Sequence, residues 1–131
     1  AILDRPAKSA PKYAVEFLLG EALTNLYVGL GRWRRGEKLA GARLIQVYAV
    51  DQVLRLAMYV EPTQSPAARD PFNEERRFER RFPSLAADLP RFMQGYEHSI
   101  ESARAILTFL DAHFEINSAI KARILQLCES E

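Results

Sequence analysis

The residues of this chain that are able to do chemistry are scattered rather than paired. Cys128 is the only cysteine and lies far in sequence from His98, so the thiolate and imidazole pairing of nucleophilic catalysis has no local basis. One cysteine and two histidines make neither an internal disulfide nor a zinc set. A magnesium centre for phosphoryl or nucleotidyl transfer needs converging carboxylates, commonly an Asp-x-Asp pair on a strand after a Gly-Ser turn. Asp4, Asp51, Asp70, Asp88 and Asp111 contain no such pair, and no glycine is followed by serine. The glycines near Gly36 lack the flanking strand and lysine of a phosphate-binding loop. Arg76, Arg77, Arg80 and Arg81 place four guanidinium groups within six residues, a density able to meet phosphates. Glu74, Glu75 and Glu79 interleave with them, and the register reads as a solvated helical face. Asp51 and Arg55, four apart, read as a surface ion pair.

These side chains have to be positioned by helices. Val15, Leu18, Leu19, Ala22, Leu26, Leu30 and Trp33 recur at spacings of three and four, which predicts a first helix from about Pro11 to Trp33. Leu23 and Tyr27 widen its apolar face, so the helix is expected to be central, with neighbours on two sides. Glu21, Asn25 and Arg32 fall within about a 40° strip along one border of that face. Gly29 and Gly31 loosen the helix end, and Gly36 is expected to cap it in the left-handed conformation. A second helix follows over about Glu37 to Val60, burying Leu39, Ala42, Ala49, Val50, Val53, Ala57 and Val60. Gln46 lies on that apolar side, where an amide needs a partner or a ligand.

Pro62, Pro66 and Pro71 make Glu61 to Phe72 a loop. Asn73 is expected to cap a short helix reaching Phe82, stopped by Pro83, with a weaker helical turn around Ser84 to Asp88. From Pro90 onward Tyr96, Ile100, Ala103, Leu107, Leu110 and Phe114 advance by four and three, the pattern of a core helix. Asn117 is placed to cap a last helix carrying Ile120, Ile124 and Leu127. No strand pattern, repeat or low-complexity tract occurs. The expected fold is all-α: an antiparallel, up-and-down helical bundle of four to five main helices plus short helices.

At 131 residues the chain is expected to form one domain, able to bury roughly two thirds of its unfolded surface. Eighteen basic against seventeen acidic residues leave a net charge of +1, so no global field draws it to nucleic acid or an anionic membrane. No apolar run reaches the ~18 residues of a membrane span, and residues 1–12 lack the apolar centre of a signal peptide. A reducing cytoplasm fits the cysteine usage. The polar, proline-punctuated residues 1–10 read as a linker from a missing N-terminal domain, leaving 11–131 as the helical substrate-binding or dimerisation domain.

Phe17-Leu18-Leu19, Gly29, and Arg35-Gly36-Glu37 before a long helix resemble the C-terminal helical domain of lincosamide nucleotidyltransferases. More distantly they resemble that of kanamycin nucleotidyltransferase, where Gly31-Arg32-Trp33-Arg34 has a counterpart. The likeness runs from about Pro11 to Met58 and continues loosely to the closing helix. The Pro-rich loop and the Arg76 to Arg81 cluster depart from it. The resemblance implies an enzyme whose N-terminal domain binds the nucleoside triphosphate and magnesium, while the bundle shapes the pocket of a small-molecule acceptor. It implies transfer of a nucleoside monophosphate to an antibiotic hydroxyl, and a homodimer. It places Glu21 as the candidate catalytic base and Asn25, Arg35 and Glu37 as acceptor-facing residues, with no metal ligand or cofactor in this chain itself.

Two other classes compete. One is a non-catalytic binding or dimerisation bundle. The other is a ribonuclease toxin of the HEPN type, since Arg91 and His98, seven apart and expected on one helical face, approximate that family's Arg-x(4–6)-His motif. Phe92 follows the arginine where a polar residue is the rule.

Overall fold

The computed structural model describes the backbone of residues 9–129 and the side chains of residues 12–129. The described chain is all-helical, with no strand. Helix α1 (Ser9–Arg34) is followed by a second long helical run built from α2 (Lys38–Arg43), a π-helical stretch (Leu44–Ala49), α3 (Val50–Leu56) and a closing 3-10 turn (Ala57–Tyr59). Three short helices, α4 (Phe78–Arg81), α5 (Pro83–Ala86) and α6 (Leu89–Phe92), lead to α7 (Ser99–His113) and α8 (Ser118–Glu129). The expected bundle is present. Most of the linker expected at 1–10 lies outside the described residues, but Ser9 and Ala10 already belong to α1.

Helix α1 is central because its apolar side is wide. Leu19, Ala22, Leu23, Leu26 and Leu30 are buried, and α1 meets α2, α3, α7 and α8. Gly36 (φ +87°) ends it as expected: Glu37 N–H donates to Arg32 O at 2.9 Å and Gly36 N–H to Trp33 O at 3.0 Å, a Schellman cap. Gly29 does not merely loosen the helix end. A Cβ there would lie 2.8 Å from Ile45 Cγ1, and one on Gly41 would lie 2.8 Å from Gly29 O and 3.0 Å from Trp33 N. Only two glycines allow α1 and α2 to touch backbone to backbone.

In the second helical run the buried positions include the series Gly41, Ile45, Ala49, Val53 and Ala57, every fourth residue, with Gln46, Val50 and Leu56 buried beside it. On a straight α-helix such a series drifts by about 40° per step. The wider π turn at Leu44–Ala49 takes up the drift and keeps the stripe against α1. Of the face expected from unbroken α-helical spacing, Ala49, Val50, Val53 and Ala57 are buried, but Leu39 is 63% exposed, and Ile45 and Leu56, outside that expected set, are fully buried.

Two further expectations are corrected. The helix expected over 73–82 is confined to α4, because Arg77 adopts the left-handed conformation (φ +59°) and its Nε donates to Ala68 O at 3.0 Å. The helix expected from Pro90 is broken by Gly95 (φ +110°), so α7 starts at Ser99 and Tyr96 stays half-exposed. Three buried polar groups hold that break. Gln46 Nε2 donates to Gly95 O (2.7 Å) and Ser99 Oγ (3.0 Å), Gly95 N–H donates to Gln46 Oε1 (2.8 Å), and Gln94 N–H donates to Ser102 Oγ (2.9 Å).

Side chains finish the helix ends. Asn117 Oδ1 accepts from Ala119 N (2.8 Å) and Ile120 N (3.1 Å), capping α8 as expected. At its other end Arg34 Nε and Nη2 donate to the carbonyls of Leu127 (2.8 Å) and Cys128 (3.0 Å), tying α1 to α8. The Glu61 carboxylate accepts from Ser84 N (3.3 Å) and Leu85 N (2.6 Å) at the start of α5.

Because the obstacle to a Cβ at Gly41 is backbone, Gly41→Ala is expected to cost about 1–3 kcal/mol in urea denaturation. Gly20→Ala, with nothing within 4 Å of its Cβ, is expected to stabilise by about 0.5–1 kcal/mol.

Candidate functional site

The concave surface with the most informative chemistry runs along the outer side of α3. The π segment turns Val47 outward, and Asp51 and Leu54 continue the strip beyond it. Arg77's left-handed turn and the Pro-rich loop bring Glu75, Phe78 and Glu79 opposite, and Met93 closes the end. The resulting groove encloses about 340 Å³. Its floor is apolar, from Val50, Leu54, Phe78 and Leu89, and its polar rim carries Asp51, Glu75 and Glu79. A second hollow of about 340 Å³ continues it toward Phe72, which is 98% exposed.

Those three carboxylates have no hydrogen-bond or ion-pair partner among the described residues. The surface pair expected between Asp51 and Arg55 does not form; Arg55 Nη1 donates instead to Gln52 Oε1 at 3.2 Å. Negative charge over an apolar floor suits an organic cation, whose ammonium groups meet carboxylates while its carbon skeleton covers the floor. No three His, Cys, Asp or Glu side chains among the described residues group so as to hold a metal ion.

The residues singled out from the sequence lie elsewhere. Arg35 and Glu37 sit at the tip of the α1–α2 hairpin, paired at 3.4 Å, and Arg32 Nη1 also reaches Glu37 at 3.0 Å. The Arg32 hydrogen bond, with a smaller one from Arg35, holds the Glu37 carboxyl below its ordinary value of 4.5. Glu21 is exposed and Asn25 half-buried on α1, and neither has a polar side-chain partner among the described residues. None of the four lines the α3 groove.

Arg91 and His98 do not share a helical face, because α6 ends at Phe92 and His98 precedes α7 beyond the Gly95 turn. Each is engaged by an acid, Arg91 by Asp88 and His98 Nδ1 by Glu101 Oε2 at 3.1 Å. Cys128 is buried, and burial raises its thiol pKa, against a role as nucleophile.

Periodicity missed Glu75, Glu79 and Met93 as groove residues, and assigned the two glutamates to a solvated face. The available signal was Phe78 between them, three residues after Glu75 and one before Glu79: an aromatic side chain inside a charged stretch gains by covering apolar surface. Comparison with protein-family models, with curated proteins and with solved structures finds no match to this chain. No helix among the described residues is long and apolar enough to cross a membrane.

Two measurements check this geometry. Gln46→Leu leaves the Gly95 amide and carbonyl without their partner, so a loss of about 1–3 kcal/mol is expected, with faster hydrogen exchange at the Gly95 amide. For Glu37, a carboxyl depressed in the folded state contributes stability above its unfolded pKa and loses it as pH falls through the folded value. Glu37→Gln should therefore be less stable than wild type at pH 7, and the gap in urea midpoint should close as pH drops well below 4.5.

Proposed function

We propose that this chain is the acceptor-binding helical domain of a nucleotidyl-transfer enzyme of the lincosamide or aminoglycoside type. In this reading a separate N-terminal domain holds the nucleoside triphosphate and magnesium and performs the transfer. The bundle holds the small molecule whose hydroxyl receives the nucleoside monophosphate. Two things support the reading: the hairpin motifs around Phe17 to Glu37, and the α3 groove. The single observation that carries it is that Asp51, Glu75 and Glu79 line one apolar-floored groove and none of the three has an ion-pair partner among the described residues.

The groove's chemistry favours an acceptor with amino groups. Each ammonium placed beside an unpaired carboxylate gains a charge-assisted hydrogen bond, roughly twice as strong as a neutral one. Val50, Leu54 and Phe78 exclude water beneath the ligand, and lower local dielectric strengthens the attraction. Glu21 is exposed on α1 and lies outside this groove, so its role as the base that deprotonates the hydroxyl requires an acceptor that extends from the groove to α1, with that oxygen within about 3 Å of the carboxylate. Arg35 and Glu37 pair at the hairpin tip and, with Asn25 on α1, are the further residues that the resemblance places toward the acceptor. A homodimer and a cytoplasmic setting belong to the same reading.

Calorimetric titration of the chain with an amino-sugar antibiotic of the kanamycin class is the direct test. Saturable binding is expected, weakened about tenfold in Asp51→Asn and again in Glu79→Gln, and unchanged in Glu21→Gln. Absence of binding, or binding indifferent to the groove carboxylates, would remove the acceptor role. Self-association without ligand binding would instead identify a dimerisation module.

A further inference from the structure

We infer that a second, smaller pocket beside the acceptor groove is a binding site for a small anion, a phosphate or a carboxylate group. The starting point is Arg81. It is only 4% exposed, and its guanidinium carbon lies 5.7 and 5.2 Å from the ring centres of Phe78 and Phe82. Its Nη2 donates to the backbone oxygen of Glu74 at 2.7 Å and approaches the Glu74 carboxylate at 3.4 Å. Its Nε is fully buried and has no acceptor among the described residues. A buried donor on a charged group without an acceptor is costly and rare in native proteins.

Arg81 does not stand alone. A pocket of about 240 Å³ brings it together with Arg55 from α3 and Arg69 from the Pro-rich loop, over Leu54, Met58 and Phe82. Glu74 is the one carboxylate in this lining, and it is shared, accepting from Arg69 Nη2 at 3.1 Å as well as from Arg81. Among the described residues Arg55 is hydrogen-bonded only to the neutral amide of Gln52. Three guanidinium groups thus line one pocket whose single carboxylate among the described residues is already divided between two of them. The excess positive charge sits against apolar walls, where an incoming anion is screened least.

The donors are arginines, whose planar forks match the paired oxygens of phosphate and carboxylate. The volume lies below the roughly 300–1,000 Å³ of sites for drug-sized ligands, and suits a small anion or the anionic end of a larger molecule. The sequence pattern hid this site, because Arg81 reads as one rung of a solvated basic ladder. Arg77 in the left-handed conformation starts the helix late and turns Arg81 into the protein.

The site is independent of the acceptor reading, since the two pockets carry opposite charge and need different probes. Inorganic phosphate and acetate are titrated separately into the chain by calorimetry, at ionic strength held constant with potassium chloride. Saturable one-to-one binding of at least one probe is expected. Affinity should fall about tenfold in Arg55→Ala and in Arg69→Ala, both exposed positions whose change should spare the thermal unfolding midpoint. Binding of phosphate alone assigns the site to phosphate groups, and binding of acetate alone to carboxylates. No saturable heat with either probe up to on the order of tens of millimolar, or binding unaltered in both variants, overturns the proposal. Glu79→Gln, which weakens the acceptor groove and lies outside both the arginine pocket and the hollow beside it, should leave phosphate or acetate affinity unchanged.

Discussion

Everything in this bundle is referred to the contact between Gly29 and Gly41. A side chain at either position meets backbone or a branched side chain at 2.8 Å, so α1 and α2 approach as closely as two helices can. Ile45 is thereby pressed onto α1, and the buried series Gly41, Ile45, Ala49, Val53 and Ala57 must stay in register with it along the whole second run. An unmodified α-helix would rotate that series away. The π turn between Leu44 and Ala49 is the local cost of keeping it in place.

The same turn has a consequence on the opposite side. With the buried stripe held against α1, Val47, Asp51, Leu54 and Arg55 form a continuous outer strip, which the returning segment from Arg69 to Phe82 roofs over. Gln46 lies at the boundary. Its amide is spent on both backbone groups of Gly95, fixing the turn between α6 and α7 and the position of Met93 at the groove's end. Buried polar groups fully paired in this manner specify geometry as well as add stability.

Along that strip the charges are sorted. On one side of Leu54 the rim is acidic and unpaired among the described residues, and on the other three arginines line a pocket with a single glutamate that two of them share. Glu74 and Arg55 stand where the second hollow meets the arginine pocket. A chain with almost no net charge thus carries two local fields of opposite sign side by side. Composition cannot report such fields, because it averages over them.

Local chemistry alone determined the helical class, the start and end of α1 to within a few residues, the glycine cap at Gly36, the Asn117 cap and the need of Gln46 for a partner. Each follows from interactions within one turn or from spacing along one helix. Tertiary contacts decided the rest. Gly29 became a packing site because another backbone lies against it, the face of the second run shifted because α1 imposed a register, and Arg77 was held left-handed by the distant Ala68 carbonyl. That last contact turned Arg81 inward and set Glu75 and Glu79 across from Asp51. Propensity and periodicity describe a helix by itself, whereas the sites here are made where separate segments meet, and the energies that fix those meetings belong to pairs of residues far apart in the chain.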